Sequence, residues 1–227
     1  MTCRMSTTRS RSHLAAALLV AAALGGCGSR DDGPATAEQR GVDAFHSVEL
    51  RGTATVELVV GPPGSLTLTA GPATLRETTT TVRNGLLVIE HESKWFRFSD
   101  HDNLKLRITT PALNSFSLSG AGEVDIDAGK GDALAVVLSG AGEIRVRGER
   151  QSLNARINGA GSIDLSKLSA VDASLYVNGA GNLTTLVTGS LQAEVNGVGN
   201  IRYAGNPQKV EPTINGVGSI KPVAAGP

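Results

Sequence analysis

The sequence is poor in aromatic and charged residues and has almost no cysteine. Of its 227 residues, 3% are aromatic and 19% are charged. The 21 basic and 21 acidic residues balance, which argues against a nucleic-acid-binding protein because such proteins normally carry a basic patch. Two cysteines, Cys3 and Cys27, exclude both a disulfide framework and a four-cysteine zinc site. We therefore expect no nucleic-acid partner, no metal site and no cofactor.

The segment 1–26 has the pattern of a lipoprotein signal peptide. A basic start precedes an uninterrupted apolar run from Leu14 to Leu24. Such a run is too short to span a bilayer as a stable helix, but it suits the central region of a secretory signal. The run leads into Gly25-Gly26-Cys27, which resembles the lipobox of bacterial lipoproteins. The alternative is an ordinary secreted protein with a chance cysteine.

The lipobox resemblance implies that Cys27 becomes the lipidated first residue and carries acyl chains such as palmitate. More than one chain is needed for stable anchoring. Residues 27–41 are polar and lack apolar periodicity, which predicts a flexible tether. Gly28 follows the cysteine, whereas aspartate marks inner-membrane retention in the lipoprotein class. We therefore expect an outer-membrane lipoprotein of the cell envelope that faces the periplasm or the cell surface.

Six copies of a glycine-containing segment recur in the second half of the chain. They are LSGAGEVDI at 118–126, LSGAGEIRV at 138–146, INGAGSIDL at 157–165, VNGAGNLTT at 177–185, VNGVGNIRY at 195–203 and INGVGSIKP at 214–222. Their first glycines are separated by 20, 19, 20, 18 and 19 residues. Apolar residues stand two positions before and four positions after that glycine in every copy. This period-2 spacing predicts a strand on each side, with one face directed inward.

Two sets of residues are fixed within the repeat. The paired glycines supply backbone freedom for a corner between the strands, and they are Gly120, Gly122, Gly140, Gly142, Gly159, Gly161, Gly179, Gly181, Gly197, Gly199, Gly216 and Gly218. The residue before the first glycine is always Ser or Asn, namely Ser119, Ser139, Asn158, Asn178, Asn196 and Asn215. Parallel stacking would join these side chains into a ladder, as in cross-β structures. The alternative is that each one forms its turn independently.

The repeat predicts an all-β fold, a parallel β-helix-like solenoid with coils of about 19 residues, over residues 118–222. Residues 42–117 alternate apolar and polar positions without the clear motif, and we expect degenerate coils or a β cap there. Residues 223–227 form a tail. Pro207, Pro212 and Pro222 are expected to blunt the far end, because proline cannot donate to a strand ladder. A meander of antiparallel hairpins is the alternative architecture.

The repeated I/V-N-G-A/V-G residues, with Ser-Gly-Ala-Gly in the first two copies, resemble the head GIN domain family. That family is labelled as the head of an autotransporter adhesin and is otherwise a domain of unknown function. The resemblance covers about residues 45–222. It implies a right-handed parallel β-helix-like fold in a secreted or surface-attached protein, here on a lipoprotein, and it brings no catalytic residues.

Two groups of acidic and histidine side chains are candidates for chemical sites. Glu123 and Glu143 occupy equivalent places in adjacent copies, as a glycosidase pair or half of a calcium site would. The alternative, which we favour, is a pair of solvated side chains. His91 and His101 each lie between two carboxylates, but adjacent residues of a strand point to opposite faces. We therefore expect exposed loop polarity at both histidines.

Trp95, Phe96 and Phe98 form an aromatic cluster among cationic residues, and they are the best candidates for a binding surface. Exposed aromatics beside cations suit contact with a glycan or a partner protein. The alternative is a loop that packs over the side or the end of the solenoid.

The residues favour a non-enzymatic function. We expect a lipid-anchored protein that presents a repetitive surface for adhesion, scaffolding or binding of envelope polymers. Its partners would be the membrane, through the lipid, and an envelope polysaccharide or another surface protein. The alternatives are a carbohydrate-active β-helix enzyme, which needs converging carboxylates in a groove, and a periplasmic stress or quality-control component.

We expect Cys27→Ser to abolish incorporation of labelled fatty acid and to release the protein from membranes, because serine offers no thiol for the thioether bond. Metabolic labelling and cell fractionation measure the two effects. Cys3→Ser is the matched control and should leave both unchanged, since residue 3 lies in the predicted signal peptide. Membrane association that survives Cys27→Ser would contradict the lipobox assignment.

Overall fold

The structure, a computed structural model, describes residues 34–91 and 104–223. These residues form thirteen strands and one short helix, in the order β1 Thr36–Arg40, β2 Ser47–Val60, β3 Ser65–Ala70, α1 Pro72–Glu77, β4 Thr78–Arg83, β5 Leu86–His91, β6 Lys105–Thr110, β7 Ser115–Ile157, β8 Ala160–Val177, β9 Ala180–Val187, β10 Ser190–Val195, β11 Val198–Ala204, β12 Lys209–Ile214 and β13 Val217–Pro222. All thirteen strands belong to one sheet. The prediction of an all-β fold is confirmed. Cys27, Trp95, Phe96, Phe98 and His101 lie outside the described residues.

The copies of the repeat lie side by side in parallel, with equivalent residues opposite one another. Gly142 of β7 is opposite Gly161 of β8, which is opposite Gly181 of β9. The series continues to Gly199 of β11 and Gly218 of β13. Within the described residues, the strands from β7 to β13 pair with one another only in parallel. The alternative of an antiparallel meander is therefore wrong for the repeats.

A second parallel series is formed by the strand segments that precede the glycines. Ile157 of β7 is opposite Val177 of β8, Val177 is opposite Val195 of β10, and Val195 is opposite Ile214 of β12. Each of these copies thus contributes one strand segment before its glycines and one after them. The two series place like residues next to like residues on both sides of the glycine corner.

The front part of the chain joins the same sheet. β2 pairs in parallel with β7, so that Gly52 lies opposite Gly120. On its other side, β2 pairs in parallel with β5 and β6. Three antiparallel pairs lie beyond them, and they join β4 to β5, β3 to β6 and β1 to β3. The longest path through the sheet therefore begins at β1 and ends at β13.

The interior is lined by the alternate residues that the repeat makes apolar. Side chains two positions before the first glycine are fully buried in five copies, at Leu118, Leu138, Ile157, Val177 and Val195. Those four positions after it are at most 1% exposed in the same copies, at Val124, Ile144, Ile163, Leu183 and Ile201. Burial of one such side chain stabilises the fold by about 1.5–3 kcal/mol.

One arginine interrupts this apolar interior. Arg150 lies opposite Ala170 and is 3% exposed. Its Nη atoms donate to the carbonyl oxygens of Ala128, Gly129 and Glu149 at 2.7–3.0 Å. Burial lowers the pKa of Arg150 from its ordinary value, because desolvation disfavours the charged guanidinium. Its hydrogen bonds satisfy three backbone carbonyl oxygens.

The corner glycines are required by close contact between adjacent copies. A Cβ built on Gly140 would lie 2.0 Å from the carbonyl oxygen of Gly120, and one built on Gly142 would lie 2.1 Å from that of Gly122. Gly140 also has a φ of +154°, which L side chains rarely adopt. Backbone freedom is therefore only part of the reason for glycine. The other part is that the backbone of the preceding copy occupies the space that a side chain would need.

We expect Gly140→Ala to lower the free energy of unfolding by roughly 3 kcal/mol, because the methyl group overlaps a backbone carbonyl and the φ is unfavourable. Urea unfolding followed by circular dichroism measures the change. Gly61→Ala is the matched control, since a Cβ there meets nothing within 4 Å. We expect it to stay within about 0.5 kcal/mol of the parent. Similar losses in the two variants would contradict the contact argument.

Candidate recognition surface

Four of the six predicted ladder residues, all of them asparagines, form one column along the sheet. Asn178 Nδ2 donates to Asn158 Oδ1 at 3.0 Å, and Asn196 Nδ2 donates to Asn178 Oδ1 at 3.0 Å. Asn215 Nδ2 then donates to Asn196 Oδ1 at 2.9 Å. The four amides therefore form a continuous chain of hydrogen bonds across four copies. A column of amides joined in this way fixes the lateral register of its strands.

A second polar column on the other side of the glycines was not anticipated from the sequence. Asn200 Nδ2 donates to Asn182 Oδ1 at 3.1 Å, and Ser219 Oγ donates to Asn200 Oδ1 at 2.8 Å. The sequence signal for this column lies three positions after the first glycine of each copy. The six residues there are all polar, and they are Glu123, Glu143, Ser162, Asn182, Asn200 and Ser219.

Glu123 and Glu143 are joined by a guanidinium that sequence reasoning also missed. Arg145 Nη1 donates to Glu123 Oε1 and Nη2 donates to Glu143 Oε2, each at 2.5 Å. Asp125 Oδ1 lies 3.8 Å from Arg145 Nη1. The hydrogen bond to Glu123 is the main cause that raises the pKa of Arg145 above its ordinary value. The two carboxylates are therefore paired with one guanidinium, and their side chains remain 54% and 40% exposed.

The outer face carries further exposed ion pairs. Arg147 Nη2 lies 3.0 Å from Asp127 Oδ2, and Lys130 Nζ lies 2.9 Å from Glu149 Oε2. Exposed pairs of this kind contribute little stability, about 0–1 kcal/mol each. Their effect is to neutralise charge locally, so this face offers paired charges instead of a strong field of one sign.

The strand segments before the glycines carry a different surface, which we call the aromatic patch and define as Asn154, Arg156, Ser174, Tyr176 and Gln192. Arg156 Cζ lies 4.8 Å from the centroid of the Tyr176 ring. Tyr176 Oη donates to Gln192 Oε1 at 3.5 Å. The register brings the five residues together, because Arg156 pairs with Tyr176, and Ser174 pairs with both Asn154 and Gln192.

The alternation of the strands directs the aromatic patch outward. Leu175 and Val177 are fully buried, so Tyr176 between them points to the outer face. An aromatic ring beside a cation and two amides suits contact with a glycan or a protein partner. Sequence reasoning assigned this chemistry to Trp95, Phe96 and Phe98, which are not among the described residues. The signal for Tyr176 was its place between two inward apolar residues.

His91 is an interior residue, so the expectation of an exposed histidine is wrong there. It is 7% exposed, and its Nδ1 lies 3.3 Å from Thr78 Oγ1. The reason is the period of β5, in which Leu87, Ile89 and His91 all face inward. Across residues 34–91 and 104–223, no group of three metal-ligating side chains is found.

The fold and these surfaces define a repeat-built, all-β domain with in-register polar columns and paired surface charges. The chain belongs to the family described as "Putative auto-transporter adhesin, head GIN domain", which matches residues 44–207. The resemblance predicted from the Asn-Gly-Ala-Gly repeats is therefore confirmed. Membership of an adhesin family indicates a protein of the cell surface or envelope.

Solved structures share the fold. A putative adhesin from Bacteroides fragilis is 22% identical with a TM-score of 0.66, and the match covers 83% of this chain and 97% of that one. A putative adhesin from Parabacteroides distasonis is 20% identical with a TM-score of 0.53, covering 85% of this chain and 98% of that one. No curated protein matches the chain. Within the described ranges, no helix is long and apolar enough to cross a membrane.

We expect Asn196→Asp to destabilise the protein by roughly 1–2 kcal/mol at pH 7. Asn196 Nδ2 donates to both Asn178 Oδ1 and Glu194 Oε1, so a carboxylate oxygen in its place faces two acceptors. This contact raises the pKa of the new carboxyl in the folded state. The difference in unfolding free energy between parent and variant should therefore shrink as the pH falls through that raised pKa toward the ordinary value of about 3.9.

Urea unfolding of parent and variant at a series of pH values measures this difference. Asn206→Asp is the matched control, because Asn206 is exposed. Its stability relative to the parent should not depend on pH in the same way. A pH-independent loss for Asn196→Asp would show that the column does not act through hydrogen-bond direction.

Proposed function

We propose that the protein is a lipid-anchored, non-enzymatic β-solenoid of the cell envelope that binds an envelope polysaccharide along its outer face. Adhesion and scaffolding follow from the same arrangement, because a stiff domain that carries a polymer-binding face can hold its cell or its partners to that polymer. The lipid anchor rests on the Gly25-Gly26-Cys27 sequence, and the solenoid rests on the strand register.

The strand register supports a solenoid whose coil length equals the spacing of the repeat. Glycines of successive copies that face one another recur at a nearly constant interval along the chain, at Gly142, Gly161, Gly181, Gly199 and Gly218. The segments before and after the glycines form separate parallel series with nearly the same offset. A chain that returns to the same place at a regular interval and always runs in the same direction is expected to wind as a solenoid.

The observation that carries the binding proposal is that the aromatic patch is assembled from three adjacent strands. Arg156, Tyr176 and Gln192 come from β7, β8 and β10, which are neighbours in the sheet. Neighbouring strands lie about 4.8 Å apart, which is close to the length of one sugar unit. An extended polysaccharide that runs across the strands can therefore contact one copy after another, with many weak contacts.

The enzymatic alternative has less support from the acidic residues. A retaining glycosidase needs one carboxyl group to act as acid and another as nucleophile, with the sugar between them. Here Arg145 forms hydrogen bonds to both Glu123 and Glu143. The guanidinium therefore lies between the two carboxylates, where the sugar of a glycosidase substrate would have to bind.

We expect the double variant Arg156→Glu/Tyr176→Ala to bind isolated envelope polysaccharide at least fivefold more weakly than the parent. The loss of the ring and the reversed charge remove about 1–2 kcal/mol of contact energy. Cosedimentation of purified full-length protein with the insoluble polymer measures the binding. Circular dichroism checks that the β structure is retained.

Arg202→Glu is the matched control for charge, since Arg202 is an exposed arginine of β11 on the other side of the glycines. We expect it to bind like the parent. Equal binding by all three proteins would rule out the aromatic patch as the contact. Release of reducing sugar by the parent, lost in Glu123→Gln, would replace the binding proposal with the enzymatic one.

A further inference from the structure

The last copy of the repeat leaves core positions uncovered. Ile157, Val177 and Val195 are fully buried at the position two before the first glycine, whereas Ile214 at the same position is 46% exposed. The register places Ile214 directly next to Val195, so its exposure has a simple cause. Ile214 covers the preceding copy, and in the described chain no further strand covers Ile214.

Two other inward positions of the last copy behave in the same way. Val210 is half-buried although its partner Leu191 is 1% exposed, and Ile220 is half-buried although its partner Ile201 is fully buried. In residues 34–91 and 104–223, β12 pairs only with β10 and β13 pairs only with β11. We call the surface of Val210, Ile214 and Ile220 the open end.

The opposite end of the sheet is closed. The helix α1 and the antiparallel strands lie there, and Leu75 of the helix is only 6% exposed. Arg40 of β1 ties this end together, since its Nη atoms donate to the carbonyl oxygens of Leu75 and Thr78 at 2.7 Å. The two ends therefore differ, because one is sealed by polar strands and the other exposes the interior.

The open end is poorly suited to the addition of a further strand. The N–H groups of Lys209 and Asn215 bond back to the preceding copy, as does that of Val217. Because successive residues of a strand direct their N–H groups to opposite sides, Pro212 and Pro222 stand where the N–H would point to the open side. Proline offers no donor there, so a partner strand cannot extend the ladder without interruption.

We propose that the open end packs against the open end of a second copy of this chain and forms an isologous dimer. Every copy of the repeat covers its predecessor with an inward triplet of apolar side chains, and a second molecule brings the same triplet in Val210, Ile214 and Ile220. In a two-fold arrangement the two open ends cover each other, and no further molecule can add. Head-to-tail association would instead place the apolar open end of one molecule on the polar closed end of the next. Lys209 is paired with Glu211 at 2.6 Å on the rim, which limits repulsion between like charges.

Size-exclusion chromatography with light scattering on purified full-length protein in detergent tests this association. We expect a dimer at micromolar concentration and no larger species. Ile214→Lys should weaken the dimer at least tenfold, because two lysines would meet across the two-fold axis. Val171→Lys is the matched control, since Val171 is an aliphatic residue of β8 with a similar exposure of 38%, and it should dimerise like the parent.

A cross-linking experiment keeps the proposal testable if Ile214→Lys fails to fold. Thr213→Cys places a thiol beside the open end, and Thr79→Cys places one on an exposed position of β4 at the closed end. With a short bis-maleimide, we expect cross-linked dimers for Thr213→Cys above the background of the parent chain, and none for Thr79→Cys.

The remaining outcomes overturn the dimer. The first is a parent protein that stays monomeric at about 100 micromolar, where a dimer with a micromolar Kd would be mostly associated. The others are oligomers that grow beyond two, a dimer that survives Ile214→Lys, and a dimer that Val171→Lys disrupts equally. Because these measurements contain no polysaccharide, their failure leaves the proposed binding function untouched, and the reverse also holds.

Discussion

The structure depends on one close contact, the approach of each glycine corner to the backbone of the preceding copy. At Gly140 and Gly142, a carbonyl oxygen of the preceding copy occupies the space that a Cβ would need. No side chain can enter this column, so the copies must lie at backbone distance and in register. The register in turn brings apolar residues into one interior and amides into one column. A single steric requirement therefore fixes the pairing, the core and the surface together.

Stacking of like residues has opposite consequences for apolar and charged side chains. Apolar columns gain by burial, and amide columns gain because each amide can both donate and accept. Identical charges would repel, and the structure avoids this by placing Arg145 next to Glu123 and Glu143. The same rule explains why the surface has paired charges on one side and a mixture of aromatic, amide and cationic residues around Tyr176 on the other.

The repeat also creates a problem at its ends. An interior built from identical layers has no natural last layer, so the final copy exposes what every other copy buries. At the β1 end the strand direction changes, and antiparallel strands together with a short helix close the structure. At the β13 end, the residues of the motif continue unchanged to Ile220, and only Pro212 and Pro222 interrupt the edge. The asymmetry of the ends follows from where the sequence departs from the repeat and where it does not.

The sequence by itself determined the family, the strands around each glycine pair, and the inward and outward residues, because all of these follow from local period-2 spacing and a repeated motif. It also identified the column of Asn158, Asn178, Asn196 and Asn215 as equivalent positions. The sequence predicted parallel copies with an antiparallel meander as the alternative, and the tertiary structure decided between the two. The tertiary structure alone showed that Arg145 joins two glutamates, that His91 is buried, and that Arg156 meets Tyr176. These features depend on contacts between separate copies or distant strands, and they exist only because the stacked register brings those segments within reach of one another.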